Sequence, residues 1–276
     1  MTLQQLYQYG IEALTKAQVP DAKVDAYLLL EAFCETNRTE LYAHGDKEVE
    51  ADKETVYREM IARRCERIPL QHLLGYTEFM GLRFAVSSDV LCPRPDTEIL
   101  VEEAMRYLHD GYRILDVCTG SGCILLSLLH YSNDCVGVGV DLSEEALAVA
   151  CKNREALGIE ATFQKSDLFA QVDGLFEMIV SNPPYIKSAE IKTLMPEVRD
   201  HEPRMALDGA ADGLFFYQKI IPEAREHLCG GGMLFLEIGA DQGSDVRALM
   251  EAHGYRDVEV IRDLAGLDRV VLGTKG

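Results

Sequence analysis

The stretch Ile114-Leu-Asp-Val-Cys-Thr-Gly-Ser-Gly-Cys-Ile124 decides the fold. An apolar run carrying Asp116 leads to glycines at 120 and 122, and a second apolar run follows. This is the pattern of a buried strand, a tight loop and the first turn of a helix. Glycine at those two positions lets the backbone turn sharply and lets a ligand come close to the main chain.

From residue 112 onward the alternation continues. Arg113–Val117, Cys135–Val140, Ala161–Lys165, Phe176–Ser181, Gly232–Ile238, Val258–Ile261 and Arg269–Leu272 have strand character, with helical segments between most of them. Alternating strands and helices predict an α/β domain on a doubly wound, mostly parallel seven-stranded sheet. No helical segment separates the last two strands, so the final one is expected to run antiparallel.

Upstream the period changes. Leu3, Leu6, Tyr7, Ile11 and Leu14 recur at helical spacing, Pro20-Asp21 opens a second helix through Phe33, and a third runs from Asp52 to Arg67. Residues 1–70 are therefore expected to form a small helical bundle. Phe79-Met-Gly-Leu-Arg-Phe-Ala-Val86 predicts a β-hairpin within a linker over 71–92, with Gly81 near its turn. Pro95, Asp96, Thr97 and Glu98 suit the first turn of a helix that opens the domain over 93–276.

Composition narrows the function. The chain of 276 residues is 47% hydrophobic, enough for a sizeable core. No run reaches the ~18 apolar residues that span a bilayer. Met1 to Gly10 has neither a basic nor an apolar leader region, so a cytoplasmic protein is expected. The eight cysteines form no CxxC pair and the seven histidines no HExxH, so reduced thiols and no metal are expected. A formal net charge of −19 opposes a phosphate polymer and argues against a nucleic-acid partner.

Two places carry chemistry. In the first, the glycine loop after Asp116 is joined by Val140-Asp141-Leu-Ser143, where an acid at a strand end can accept hydrogen bonds from both hydroxyls of a ribose. Asp167, after the third strand, is placed to meet an adenine edge. A nicotinamide dinucleotide and S-adenosylmethionine are both open to such a pocket. Cys118 stands where a dinucleotide fingerprint has its first glycine, and acids such as Asp116 and Asp141 suit a cationic sulfonium better than a pyrophosphate.

The second place is Asn182-Pro-Pro-Tyr185, after the strand Phe176–Ser181. In a doubly wound sheet this falls beside the first strand, where strand order reverses and ligands bind. An amide or amino nitrogen on a conjugated group is a poor nucleophile because its lone pair is delocalised. Two acceptors taking both of its N–H groups would hold it and stabilise the charge that develops on methyl transfer. The Asn182 side-chain oxygen and the Pro183 carbonyl are those acceptors. Proline removes competing N–H donors, and the Tyr185 ring can pack on the flat face of the group.

The Asp116–Gly122 loop, the Asp141 strand end and Asn182–Tyr185 together resemble the class I S-adenosylmethionine-dependent methyltransferases that modify planar nitrogens. Pro69-Leu-Gln-His-Leu-Leu-Gly75, Val90-Leu-Cys-Pro-Arg-Pro-Asp-Thr-Glu98, Glu202-Pro-Arg-Met-Ala-Leu-Asp-Gly209, Leu236-Glu-Ile-Gly239 and Asp263-Leu-Ala-Gly-Leu-Asp-Arg269 narrow the resemblance. They are similar to the HemK/PrmC family of N5-glutamine methyltransferases. The resemblance covers residues 65 to 276 and is weaker over the N-terminal helices. Cys118 departs from a common glycine and Asp96 from a common glutamate.

That resemblance implies the substrate, the Gly-Gly-Gln loop glutamine of class 1 peptide chain release factors, with S-adenosylmethionine as donor and S-adenosylhomocysteine as product. It implies a cofactor site of Asp116, Thr119, Gly120, Ser121, Gly122, Asp141, Leu142, Asp167, Leu168 and Asn182, with Thr97 and Glu98 at the methionine end. It places the glutamine amide at Asn182, Pro183, Pro184 and Tyr185, with Glu197 and Arg199 of the covering segment against the substrate. The helical domain would grip the release factor body, and a monomer is the expected form. A glutamine methyltransferase of a ribosomal protein, an adenine-N6 methyltransferase and a cofactor-binding protein without catalysis remain as alternatives.

Overall fold

The structure, a computed structural model, describes residues 1–276 as two compact units. One comprises Met1–Gly75 together with Met195–His201, and the other Tyr76–Leu194 together with Glu202–Gly276. The sequence divides at 70 and 92, whereas the packing divides at Gly75 and returns seven later residues to the helical unit.

The helical unit contains Leu3–Lys16, Ala22–Cys34, Arg38–Ala43, Ala51–Cys65 and Leu70–Leu74, with Pro196–His201 from the later segment. Thr2 starts the first helix with a capping box shared with Gln5. Leu6, Leu14, Leu29, Leu30, Tyr57 and Ile61 are fully or almost fully buried in its core. The helices at 38–43 and 70–74 were not anticipated, because five or six residues are too few to display a helical period.

Buried charge also holds this unit together. Arg64 donates to Asp25 at 2.7 Å and to Glu197 at 2.9 Å, and Arg67 donates to both Glu197 oxygens at 2.7 Å. Burial raises the Glu197 carboxyl's pKa, but the Arg67 and Arg64 hydrogen bonds outweigh it and leave it below its ordinary value.

The second unit opens with a hairpin of β1 (Tyr76–Phe79) and β2 (Leu82–Ala85). Its two-residue turn has positive φ at both Met80 (50°) and Gly81 (71°), the twist that matches antiparallel strands. The seven-stranded sheet contains β3 (Arg113–Val117), β4 (Val136–Asp141), β5 (Thr162–Lys165), β6 (Phe176–Ser181), β7 (Leu228–Glu237), β8 (Tyr255–Arg262) and β9 (Asp268–Lys275). Their order is β5-β4-β3-β6-β7-β9-β8, and β9 runs antiparallel to both neighbours, so the expected fold is borne out.

Alternate residues feed two cores. Leu115, Val117 and Ile179 point into one with the helices Phe215–His227 and Gly243–Ala252. Ile114, Met178 and Val180 point into the other with the helices Pro95–Tyr107 and Cys123–His130. Burial on both faces is what makes the strand sequences nearly continuous apolar runs. Strand order reverses between β3 and β6, and both sequence-predicted motifs lie at the carboxyl ends of those two strands.

Candidate active site

The glycine loop after β3 is fixed by its own strand ends. The Thr119 N–H donates to the Val140 carbonyl at 3.0 Å, and the Gly120 N–H donates to Asp141 Oδ2 at 2.9 Å. The Ser143 N–H takes the other Asp141 oxygen at 3.0 Å, while the Ser143 hydroxyl caps the helix Glu144–Leu157 at Ala146. Cys118 adopts a left-handed conformation (φ 61°), which costs a residue with a Cβ but needs no glycine here. At Gly120 nothing lies within 4 Å of the place a Cβ would occupy, so the loop presents bare backbone to open space.

That space is a cavity of about 450 Å³. Of the sequence-predicted residues, Thr97, Thr119, Gly120, Ser121, Asp141, Leu142, Asp167, Leu168, Asn182 and Pro184 line it. Asp116, Gly122, Pro183, Tyr185 and Glu98 do not, nor do Glu197 and Arg199. Glu98 instead accepts from the Met80 N–H at 2.6 Å and closes the hairpin turn. Glu197 is engaged by arginines in the helical unit, and Arg199 pairs with its exposed neighbour Asp200.

Four acids, Asp89, Asp141, Glu145 and Asp167, face a single basic side chain in the lining, Arg94. Arg94 in turn donates to both oxygens of the buried Glu202 at 2.8 and 2.7 Å, so its charge is already compensated. The wall therefore disfavours a pyrophosphate and favours a cationic nucleoside.

Asp116 lies beneath the loop, fully buried. Its Oδ2 accepts from the Thr119 hydroxyl at 2.6 Å and its Oδ1 has no donor. Burial pushes its pKa up to about 7, against the lowering effect of Thr119. A raised carboxyl contributes stability that is present below its ordinary value near 3.8 and lost as pH rises through about 7. Asp116→Asn is therefore expected to stabilise the unliganded protein at about pH 8 by on the order of 1–2 kcal/mol, since the amide keeps an unpaired donor. Thermal melts should show the gain shrinking as pH is lowered toward about 5.

Asn182 follows β6 at the cavity edge. Its Nδ2 donates to Thr97 Oγ1 at 3.4 Å, which leaves Oδ1 without a donor from the chain. No donor takes the Pro183 carbonyl either. Tyr185 turns its hydroxyl to Glu237 at 3.4 Å, and its carbonyl accepts from Gln242 at 3.0 Å. Gln242 also binds the Gly213 carbonyl and the Gly239 N–H, so one buried amide holds three loops at the site.

The sequence reading assigned no role to Gln242, Glu237 or Asn153. Asn153 bonds both backbone groups of Ala85 and the Ser121 carbonyl, tying the hairpin to the glycine loop. The signal available for two further cavity walls was local: Val90–Arg94 and Pro203–Ala206 both fall in stretches that carried the family resemblance.

Known proteins similar to this chain point to one family. Residues 5–75 match the family described as PrmC N-terminal domain, and residues 95–198 match the methyltransferase small domain. The chain is 40% identical over 276 residues to the release factor glutamine methyltransferase of Geobacter sulfurreducens, spanning 100% of this chain and 97% of that protein. It is 38% identical over 280 residues to the one from Caulobacter vibrioides, at the same coverage of each. Among solved structures, a methyltransferase from Pyrococcus furiosus superposes with a TM-score of 0.54 at 20% identity, over 71% of this chain and 90% of that one. A T. thermophilus 16S rRNA N2 G1207 methyltransferase, solved with AdoMet and guanosine, gives 0.53 at 19%, over 73% and 50%. At such identities the two structures speak for the fold alone. The full-length relatives go further, and by them the chain belongs to the S-adenosylmethionine-dependent release factor glutamine methyltransferases.

Proposed function

We propose that this chain methylates the N5 amide nitrogen of the glutamine in the Gly-Gly-Gln loop of class 1 peptide chain release factors. The observation that carries this reading is the pair of unclaimed acceptors, Asn182 Oδ1 and the Pro183 carbonyl, beside a cavity suited to a cationic nucleoside. Full-length similarity to release factor glutamine methyltransferases supports the choice of substrate. The helical unit is assigned to docking the release factor body, and the enzyme to action as a cytoplasmic monomer. No helix is long and apolar enough to cross a membrane.

The residues present fit S-adenosylmethionine. The acidic lining favours its positive charge, and the bare backbone at Gly120 leaves room for it. Asp141 would hold the ribose hydroxyls, Asp167 and Leu168 the adenine, and Thr97 the methionine end. When bound, the cofactor supplies an electrophilic methyl on sulfur. The chain's own part is positional. Asn182 and Pro183 accept the two N–H groups of the glutamine amide, which holds the nitrogen in place and leaves its out-of-plane lone pair free of hydrogen bonds. Pro184 narrows the approach, and Gln242 keeps the Tyr185 peptide from moving.

Asp141→Ala is expected to weaken S-adenosylmethionine binding by on the order of 100-fold. It removes acceptors worth about 1.5–3 kcal/mol each and unpins the Gly120 and Ser143 amides. Titration calorimetry checks this. The function itself is tested by incubating labelled S-adenosylmethionine with unmodified release factor, the same factor with its loop glutamine replaced, a ribosomal protein substrate and DNA. Label on the release factor alone, lost when the glutamine is replaced, is the expected result. Label only on the ribosomal protein or on DNA would overturn the substrate assignment.

A further inference from the structure

Arg94 is the basic side chain of the cavity lining, and neither it nor its partner Glu202 has a part in the mechanism above. The pair is closely built. The Glu202 side chain is 1% exposed, and both of its oxygens accept from Arg94 Nη2, at 2.8 and 2.7 Å. The Cys92 N–H donates to the same carboxylate at 3.3 Å. Arg94 is 37% exposed, so its guanidinium still faces the cavity it lines. The two partners lie 108 residues apart, and each adjoins a cavity wall, Val90–Arg94 on one side and Pro203–Ala206 on the other.

We propose that Glu202 is a specificity-determining residue of the cavity: by cancelling the charge of Arg94, it keeps the wall selective for a positively charged sulfur over a neutral one. The inference rests on the reading of this cavity as the seat of S-adenosylmethionine. A guanidinium does not lose its proton in a protein, so titration cannot silence Arg94. A fixed anion beside it can. Glu202 is that anion, and its burial protects the pairing from screening by salt. Without it, Arg94 would set a positive charge against the four acids of the lining.

The ligands themselves allow this role to be isolated. S-adenosylmethionine and S-adenosylhomocysteine share the adenosine and the amino-acid end, and differ by one methyl group and one positive charge. Whatever an altered wall does to the shared parts acts on both, and it cancels in the ratio of their affinities. The ratio therefore reports how the wall responds to the charge on sulfur. Methyl transfer leaves that sulfur neutral, so a wall of net negative sign holds the spent cofactor less firmly, relative to the donor, than an uncharged wall would. Glu202→Gln keeps the size of the side chain and an oxygen for the Cys92 N–H, and removes the charge. Arg94 then faces the cavity uncompensated.

The test is titration calorimetry of S-adenosylmethionine and of S-adenosylhomocysteine, at one pH and one ionic strength. It compares wild-type protein, Glu202→Gln and the double variant Arg94→Gln/Glu202→Gln, with thermal melts of each unliganded protein to show that it folds. In Glu202→Gln the affinity for S-adenosylmethionine relative to S-adenosylhomocysteine is expected to fall by about 3- to 10-fold, the effect of one extra like charge in a partly solvated wall. The double variant, whose pair is again neutral, is expected to return the ratio to the wild-type value. A merely structural tie would behave otherwise: its loss would weaken both ligands alike, and a second substitution would not repair it. Where Glu202→Gln fails to fold, Arg94→Gln decides, since deleting the cation is expected to hold the ratio at or above that of wild type. An unchanged ratio in Glu202→Gln, a lowered ratio that persists in the double variant, or a fall in Arg94→Gln would each overturn the inference. Failure of the wild-type protein to bind either ligand would instead sink the cofactor reading on which it rests.

Discussion

Asn182→Ala is expected to lower kcat for glutamine methylation by about 10²–10³-fold, the usual cost of deleting one preorganised hydrogen-bond partner of a developing charge. The amide nitrogen gains positive character as it bonds to the methyl group, so an acceptor of its N–H matters more in the transition state than in the ground state. The Pro183 carbonyl would remain, which is why the loss stops short of the full rate enhancement. The lost side chain is one of many cavity-lining groups, so S-adenosylmethionine affinity should change little. Labelled-methyl kinetics with parallel binding titrations separate the two quantities. Near-wild-type kcat in this variant would remove Asn182 from the chemistry.

Glu197→Ala is expected to destabilise the protein by about 3–5 kcal/mol, because deleting one partner of a buried ion pair strands the others. Arg64 keeps Asp25 as a partner, whereas the guanidinium of Arg67 keeps only the Gln18 carbonyl. The sign with pH follows from the lowered carboxyl: the contribution is present above about pH 4.5 and lost as pH falls below it. The gap between the two proteins in denaturant unfolding should therefore be constant above about pH 4.5 and begin to narrow as pH falls below it. A substrate-binding role for Glu197 predicts something else: unchanged stability and a raised KM for the release factor.

The contrast between Asn182 and Glu197 shows what a single chain discloses. Asn182 was legible because its motif is unusual and because the strand pattern alone places it at the reversal of the sheet. Asp141 was legible because it ends a strand. Glu197, Glu98 and Arg199 were expected at ligands, yet two of the three hold the chain itself together and the third pairs with an exposed neighbour. A carboxylate's partners, Arg64 and Arg67 for Glu197 and Met80 for Glu98, lie 18 to 133 residues away and leave no local period. Gln242 and Asn153 were invisible for the same reason: each is a polar residue among ordinary neighbours, and only folding gathers the backbone segments it joins, three for Gln242 and two for Asn153. Strand ends moved for a different cause. β7 begins at Leu228 and runs through Gly230, Gly231 and Gly232, which carry no side chain to signal a strand.

The return of Met195–His201 to the helical unit means that the chain passes between the units three times, after Gly75, Leu194 and His201. A gene cut at Tyr76 would therefore not release a finished catalytic domain. That fragment would carry Glu197 stripped of both arginines, while the matching fragment would carry Arg64 and Arg67 without their acid. Neither piece is a portable module, so exchanging the N-terminal domain between enzymes to redirect substrate choice calls for transplanting the later heptapeptide along with it.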